Sequence, residues 1–361
     1  MAIDIKSLLK IMLEKNASDF HVTANTPIHL RIDENLHALN KEILSPQDTK
    51  ASVYAILNDD QIKQFEKDLE LDFSFELKDI ARFRVNIFYQ RGAVGCAIRL
   101  IPYEIMNFEQ CGLPVKTTTK LCKVPKGLVL ITGATGSGKS TTLASMVDYI
   151  NSNRPCHIIT IEDPIEFVHK NRKAIVDQRE VYKDTHSFGA SLKRVLRQDP
   201  DVILIGEMRD LETIESALII AETGHLVLAT LHTSDAVQTI NRIIDVFPAH
   251  QQQQIRTQLS FVLSGVLSQQ LIPKAGKSGR ALATEVLIAT PAIRSLIREG
   301  KVHQIYSVIQ TTQKEGMKTM NQALADLCES GAVSLEACQE KSTNIDELYK
   351  LIKSPVKGKA S

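Results

Sequence analysis

The residues with the clearest chemical meaning form a phosphate-binding pattern. GATGSGKS at positions 133–140 matches G-x-x-x-x-G-K-[ST] at every defined position. In such a loop the glycines let backbone N–H groups surround phosphates, a lysine reaches the β- and γ-phosphates, and a hydroxyl binds Mg²⁺. We therefore predict an ATP–Mg²⁺ site. The nucleotide-binding residues that the pattern predicts are Thr135, Gly136, Ser137, Gly138, Lys139, Ser140 and Thr141.

The context of this loop favours binding over its alternative, a glycine-rich turn with a solvated lysine. An apolar run at 127–132 leads into the loop, and a helical pattern at 141–150 follows it. A strand, a glycine-rich loop and a helix in this order are the context that the motif requires.

Acidic residues and a histidine follow three other apolar runs. In an open α/β sheet, ligands bind at the carboxyl ends of the strands, so these residues should meet at the edge that carries the loop. The run at 157–161 is followed by Glu162, Asp163 and Glu166. The run at 202–205 is followed by Glu207, and the run at 226–231 by His232.

Glu207 is the predicted water-activating base, because an acidic residue is expected after a strand of this type. Gly206 occupies the position where a metal-binding aspartate is usual. The predicted metal ligands are therefore Ser140 with Asp163 and Glu166, together with phosphate and water. A surface carboxylate at a strand end is the alternative reading of Glu207, and Asp163 before Pro164 is equally suited to a turn.

Catalysis is assigned to Glu207, Lys139, Glu162 and His232. His232 is placed to contact the γ-phosphate, with a packed, structural histidine as the equal alternative. His225 opens the same apolar run and is interpreted as structural.

Around these residues the sequence predicts an α/β protein with two domains. A small α+β domain at 1–101 contains a helix at 3–15 and strands at 18–22, 28–32, 71–75, 82–89 and 93–101. A linker at 102–119 follows, since it contains Pro102, Gly112 and Pro114. The continuous apolar runs of 120–353 predict a parallel sheet, with a mainly helical part after Phe247 that includes one strand at 282–288. Residues 354–361 are expected to be disordered.

Composition excludes several classes of protein. The chain has 361 residues, 43 Lys+Arg against 42 Asp+Glu, and no Trp, so nothing indicates nucleic-acid binding. None of its six cysteines forms a C-x-x-C pair, which disfavours a zinc site, and we expect reduced thiols in the cytoplasm. No uninterrupted apolar stretch reaches about 18 residues, so no membrane-spanning helix is expected.

Four segments together resemble a known family. They are GATGSGKS (133–140), TIEDPIEF (160–167), RQDPDVILIGEMRDLET (197–213) and AETGHLVLATLHT (221–233). This set resembles the secretion ATPase superfamily that powers type II secretion and type IV pili, with the last three segments similar to its Asp box, atypical Walker B and His box. SDFHV (18–22) resembles the N-terminal motif of this family, and AIRSLIREGK (292–301) resembles the C-terminal signature of the branch that retracts pili. The resemblance covers nearly the whole chain.

This resemblance implies a PAS-like N-terminal domain, a RecA-like P-loop ATPase domain and a homo-hexameric ring. It also implies a motor at the cytoplasmic face of the inner-membrane pilus machine, in contact with its platform protein, that drives pilus retraction and twitching motility. The absence of a four-cysteine motif argues against the longer extension ATPases. A paralogous, accessory retraction ATPase remains an alternative identity and a possible companion.

The catalytic arginine is not obvious in the P-loop domain. Arg82, Arg84 and Arg99 cluster in the N-terminal domain, and we hypothesise that one or two of them bind the nucleotide. The alternative is that they are solvated or paired with Asp72, Glu76 and Asp79.

The helix predicted at 292–301 also has two interpretations. Its basic residues either form a solvated face or contact a partner during retraction.

Two other functions compete with the motor. RecA-like rings also drive DNA, although the charge balance disfavours a translocase. A scaffold that senses ATP without hydrolysing it is disfavoured by the carboxylate of Glu207.

Overall fold

The computed structural model describes residues 4–15, 17–32, 35–77, 81–101, 104–276 and 279–352. The chain divides into two compact units, Met1–Glu104 and Ile105–Ser361. The predicted start of the first helix at residue 3, Asp79 and the tail at 354–361 all lie outside the described residues.

The first unit combines helices with a six-stranded sheet of order β3-β2-β1-β6-β5-β4 within its described part. Each neighbouring pair of strands is antiparallel. Its elements are α1 (Ile5–Glu14), β1 (Asp19–Val22), β2 (His29–Ile32), β3 (Asn35–Ala38), α2 (Pro46–Tyr54), α3 (Asp59–Asp68), β4 (Glu70–Leu77), β5 (Ala81–Gln90) and β6 (Ala93–Ile101).

Alternation along β5 separates the two faces of this sheet. Phe83, Val85 and Ile87 are fully buried, whereas Arg82 and Arg84 point to the other, half-buried face. A strand with one apolar face packs that face on a core and leaves the other for polar side chains. The start of α2 is fixed by its own sequence, because Ser45 forms a capping box with Asp48 and Pro46 takes the first helical position.

The second unit contains the phosphate-binding pattern. Its elements are α4 (Phe108–Cys111), α5 (Val115–Cys122), β7 (Gly127–Thr132), α6 (Lys139–Asn153), β8 (His157–Glu162), β9 (Ile175–Glu180), α7 (Phe188–Val195), β10 (Val202–Ile205), α8 (Leu211–Glu222), β11 (Leu226–Leu231), α9 (Ala236–Asp245), α10 (Gln252–Val262), β12 (Leu263–Pro273), β13 (Arg280–Ile288), α11 (Pro291–Arg298), α12 (Ile305–Thr311), α13 (Met320–Glu329), α14 (Leu335–Lys341) and α15 (Ile345–Leu351).

A seven-stranded sheet of order β13-β12-β7-β11-β10-β8-β9 organises the described part of this unit. All neighbouring strands are parallel except β12 and β13, which are antiparallel. Every residue of β7, β10 and β11 is buried, as their continuous apolar sequences predict for strands covered on both faces. A separate apolar cluster joins α13, α14 and α15 to β12 and β13.

The structure corrects two sequence predictions. Most of the predicted linker at 102–119 is ordered within the second unit, because Asn107 caps α4 and α5 begins at Val115. The mainly helical region after Phe247 contains two strands rather than the one predicted, since β12 is an eleven-residue strand that pairs with both β7 and β13. The edge strands β3 and β9 were also not predicted.

Within the described part of the chain, the helices lack the combination of length and apolar character that a bilayer span requires.

The start of α8 offers a test of how the sequence fixes the helix that follows Glu207. The Asp210 carboxylate accepts a hydrogen bond from the N–H of Thr213 at 2.8 Å. Replacing an N-cap residue of this type with alanine costs about 1 kcal/mol, so Asp210→Ala should lower the free energy of unfolding by that amount in urea titrations.

Glu215→Ala is the matched control, because it removes an exposed carboxylate from the middle of the same helix. Such a surface change should stay within about 0.5 kcal/mol of the wild type. Equal stability of the two variants would contradict the capping role of Asp210.

Candidate active site at the carboxyl ends of the parallel strands

The P-loop joins β7 to α6 and has the backbone that its glycines predict. Gly133, Gly136 and Gly138 have φ angles of 142°, 78° and 90°. A Cβ on Gly133 would lie 2.5 Å from both the backbone oxygen of Gln269 and the Oγ of Ser137, so only glycine fits there. No side chain caps the start of α6. Its first N–H groups and its positive dipole end are therefore suited to phosphate.

Lys139 lies at the base of this loop and is buried. Its Nζ donates hydrogen bonds to the backbone oxygens of Gly133 at 2.8 Å and Ala134 at 3.0 Å. Burial lowers the pKa of Lys139, and the charges of Glu207 and Glu166 oppose that shift. The lysine is thus held beside two acidic residues that the sequence predicted to share its edge of the sheet.

Two buried polar atoms beside the loop have no hydrogen-bond partner among the described residues: Ser137 Oγ and Gln269 Oε1. Both residues line a cavity of about 300 Å³ against the P-loop, together with Ser234 and Arg280. Buried polar groups are normally paired, so atoms of this kind mark a place where a polar ligand fits. Gln269 also donates to Thr142 Oγ1 at 2.7 Å and so joins β12 to α6.

Backbone contacts on both sides fix the position of Glu207 after β10. The N–H of Gly206 donates to Ile161 O at 2.8 Å, at the end of β8. Thr230 Oγ1, on β11, donates to Gly206 O at 2.6 Å, and the N–H of Met208 donates to Thr230 O at 3.0 Å.

Close approach explains why glycine occupies position 206. A Cβ there would lie 3.2 Å from Ile161 O and 3.3 Å from Glu162 Cα, which is tighter than ordinary contact. An aspartate at this position would press on the backbone that carries Glu162. The packing of β8 against β10 therefore disfavours the usual acidic residue before Glu207, because the end of β8 would have to shift by a few tenths of an ångström.

Two nitrogen-bearing side chains contact the Glu207 carboxylate. Arg209 approaches it through Nη2 to Oε2 at 2.8 Å and Nε to Oε1 at 2.7 Å, and His232 Nε2 lies 3.2 Å from Oε1. Burial by itself raises the pKa of Glu207, but the hydrogen bond from Arg209 and the charges of His232, Arg209 and Lys139 outweigh it and lower the pKa. Glu207 is consequently ionised at neutral pH, as a base must be.

Glu162 at the end of β8 has a different environment. Its Oε1 accepts hydrogen bonds from Thr160 Oγ1 at 2.6 Å and from Gln178 Nε2 at 3.1 Å. Burial raises the pKa of Glu162 to about 7, although these bonds and the N–H of Glu166 oppose the rise. Glu162 therefore changes charge near neutral pH, whereas Glu207 does not.

The predicted metal ligands provide oxygen atoms of the type that Mg²⁺ prefers. Ser140 is exposed in the first turn of α6, and Asp163 and Glu166 lie in the loop after β8, with Glu166 close enough to act on the charge of Lys139. Among the described residues there is no group of three or more His, Cys, Asp or Glu side chains able to hold a metal alone. This arrangement fits an ion that completes its shell with phosphate and water.

The three candidate arginines lie in the first unit. Arg82 donates to Ser74 Oγ at 2.8 Å, and Arg99 pairs with Asp19 at 2.8 Å. Arg84 lies opposite Arg99 in the antiparallel register of β5 and β6. Asp19 was not among the acidic partners expected from the sequence, and the nucleotide-binding role of these arginines stays a prediction.

Sequence reasoning missed three side chains that shape the site: Arg209, Gln178 and Gln269. Arg209 stands two residues after Glu207, and that spacing was the available signal. Gln178 and Gln269 belong to strands that were not predicted. His225, interpreted as structural, has its Nδ1 3.2 Å from Ile220 O.

The basic residues of α11 differ in their contacts. Arg294 Nη1 donates to the backbone oxygens of Ser260 at 2.5 Å and Phe261 at 2.6 Å, so it closes the end of α10 rather than facing solvent. Arg298 lies over the exposed Phe261 ring, 5.8 Å from its centroid. A partner-binding role is therefore more plausible for Arg298 than for Arg294.

The raised pKa of Glu162 predicts how this residue affects stability with pH. A carboxyl group whose pKa is higher in the folded than in the unfolded chain stabilises the fold below its unfolded pKa. This stabilisation is lost as the pH rises through the folded pKa. The free energy of unfolding of the wild type, relative to Glu162→Gln, should therefore fall between pH 5 and pH 8 in urea titrations.

Thr160→Val provides a second measurement at the same site. It removes a hydrogen bond that favours the ionised form, so the loss of stability should move to higher pH. A difference between wild type and Glu162→Gln that stays constant over this range would contradict the assigned environment.

Known proteins resemble this chain over nearly its whole length. The chain is 50% identical over 340 residues to the "Type IV pilus retractation ATPase PilT" of Pseudomonas aeruginosa, a match covering 94% of this chain and 98% of that protein. It is 41% identical over 351 residues to the "Type IV pilus ATPase PilU" of the same organism, covering 97% and 92%. A solved structure described as "Crystal Structure of the Pilus Retraction Motor PilT and Bound ADP" superposes with a TM-score of 0.89 at 49% identity, covering 96% of this chain and 99% of that one.

The family model described as "Type II/IV secretion system protein" matches residues 1–340. The resemblance found in the sequence is thereby confirmed, and the chain belongs to the type II/IV secretion system protein family.

Proposed function

We propose that this protein is an ATP-hydrolysing motor that drives retraction of type IV pili, and hence twitching motility. The proposal depends mainly on the position of Glu207 at the edge of the sheet that bears the P-loop. There Glu207 contacts His232 and acts on the charge of Lys139. The similarity to a pilus retraction ATPase, and to a structure that holds ADP, supports the same conclusion.

In the proposed reaction the P-loop binds the phosphates of ATP. The residues with this role are 135–141, with Lys139 directed to the β- and γ-phosphates once these replace its bonds to Gly133 and Ala134. Ser140, with Asp163 or Glu166 nearby, would hold Mg²⁺, and a bound ion would supply positive charge to the phosphate oxygens.

Glu207 would then orient a water molecule and accept its proton. Its lowered pKa keeps the carboxylate ionised, but Arg209 occupies both of its oxygens in this structure. Because each carboxylate oxygen can accept more than one hydrogen bond, a water molecule can bind Glu207 beside Arg209. His232, 3.2 Å from the same carboxylate, is placed to detect the γ-phosphate. Glu162 would support the water or the metal shell from the neighbouring strand.

We further infer the finer architecture and the assembly. The first unit has the helix-and-antiparallel-sheet composition of a PAS-like domain, and the second has the parallel sheet and P-loop of a RecA-like ATPase domain. The proposal includes a homo-hexameric ring that contacts the inner-membrane platform protein from the cytoplasm. The higher identity to PilT than to PilU favours the main retraction motor over an accessory one, with a PilU-like paralogue as a companion.

The central test of this function is Glu207→Gln, assayed for ATP hydrolysis over a range of protein concentrations. Loss of a general base should lower turnover by about 10²–10⁴-fold while leaving nucleotide binding intact. If subunits complete one another's sites, the specific activity of the wild type should rise with concentration.

Glu215→Gln is the matched control, since it removes an exposed carboxylate from α8. Equal hydrolysis by wild type and Glu207→Gln would exclude Glu207 as the base. Absence of hydrolysis in both would instead favour a nucleotide-binding scaffold or a motor that requires its partner.

The arginine hypothesis predicts a second set of results. Because an arginine finger is worth about 10³–10⁵ in rate, at least one of Arg82→Ala, Arg84→Ala and Arg99→Ala should lose most ATP hydrolysis. Arg31→Ala is the control, since Arg31 also approaches Asp19, at 3.8 Å, on the same sheet. Normal turnover in all three single variants would end the hypothesis.

A further inference from the structure

A buried acidic residue outside the site described above joins two helices. Glu285 on β13 is 2% exposed. Its Oε1 accepts the N–H of Ala236 at 2.8 Å, and its Oε2 accepts the N–H of Met320 at 3.3 Å. Ala236 and Met320 are the first residues of α9 and α13, so one carboxyl group holds the starts of both helices.

These two N–H groups have few other ways to be satisfied. The first N–H groups of a helix have no partner within it, and both residues here are buried. A carboxylate is suited to the position because it offers an acceptor to each donor and carries the charge that helix starts favour. A glutamine would offer one acceptor and set its N–H₂ against the second donor.

The first of these helices begins directly after the segment that contains His232. Only Thr233, Ser234 and Asp235 separate His232 from Ala236. Asp235 caps α9 by accepting the N–H of Gln238 at 2.8 Å, and Thr233 Oγ1 lies 2.6 Å from Thr239 Oγ1. The start of α9 therefore limits where His232 can lie.

The pairing register places Glu285 at the level of the catalytic edge. Glu285 pairs with Ser268, Ser268 pairs with Thr132, and Thr132 pairs with Leu231. Thr132 directly precedes the P-loop, and Leu231 directly precedes His232. Thr132 Oγ1 also donates to Ser268 Oγ at 2.9 Å. A row across four strands thus connects Glu285 with both catalytic segments.

We propose that Glu285 is a positioning residue for ATP hydrolysis: by joining the starts of α9 and α13, it fixes the segment that holds His232 beside Glu207. The inference rests on the proposed role of His232 in hydrolysis. It also gives the C-terminal helices a direct physical connection to the catalytic edge, through α13.

Glu285→Gln in the full chain, assayed with ATP, tests this role. Because misplacement of a catalytic group by about 1 Å lowers rates by up to about 100-fold, we expect kcat to fall about 10- to 100-fold with little change in the Kd for ADP. In a His232→Ala background, Glu285→Gln should produce no further loss of kcat, since the residue acts through His232.

Glu347→Gln is the matched control. Among the described residues, the Glu347 carboxylate accepts hydrogen bonds from Tyr306, Gln310 and Asn321, which belong to the C-terminal helices and not to α9. It should leave kcat unchanged at temperatures where circular dichroism shows all variants folded. An equal loss of kcat in Glu285→Gln and Glu347→Gln would reduce Glu285 to a structural residue and overturn the proposal.

The remaining outcomes are equally decisive. If His232→Ala loses ATP hydrolysis but Glu285→Gln keeps the kcat of the wild type, the role of Glu285 is overturned and that of His232 stands. Normal turnover by His232→Ala overturns both the role of His232 and this inference. If Glu285→Gln does not fold, Asp235→Ala loosens the same helix start from the surface. A loss of kcat that disappears in the His232→Ala background then supports the proposal, and unchanged kcat overturns it.

Discussion

The parallel register of the central strands is the constraint on which the site depends. Thr132 pairs with Leu231, and Ile205 pairs with both Ala229 and Ile161, so four chain segments leave the sheet at one edge. Parallel strands end on the same side, and ligands of open α/β sheets bind there. The phosphate loop, the carboxylates and the histidine thus come together although up to about a hundred residues of sequence separate them.

Opposing electrostatic effects give the carboxylates at this edge different properties. Glu207 has a lowered pKa because Arg209, His232 and Lys139 act against its burial. Glu162 has neutral hydrogen-bond donors instead, and burial prevails. Pairs of acidic residues whose environments separate their pKa values in this way are typical of active sites. Glu207 is suited to start turnover as the ionised base, and Glu162 to change its charge near neutral pH.

The wider unit holds this edge in place by satisfying buried polar groups. Thr230 and Met208 bind β11 to the Glu207 segment, Gln269 binds β12 to α6, and Glu285 binds β13 to two helix starts. Each contact pairs a donor or acceptor that would otherwise be buried alone, which is unfavourable. The strands on both sides of the P-loop strand therefore contribute to the position of the groups for which we propose catalytic roles.

The sequence alone determined the family, the phosphate loop, the buried parallel strands and the residues at their ends, because these are local patterns of side-chain type and spacing. It did not reveal β12, since an apolar sequence directly after a helix can continue as helix or strand. The close packing of Gly265, where a Cβ would collide with Leu121 and Leu287, is visible only in the folded chain. Nor did the sequence reveal the contact of Gln178 with Glu162 or that of Glu285 with the start of α9. Those contacts depend on which strands become neighbours, and only the tertiary structure decides that, because burial and pairing are satisfied across the whole sheet at once.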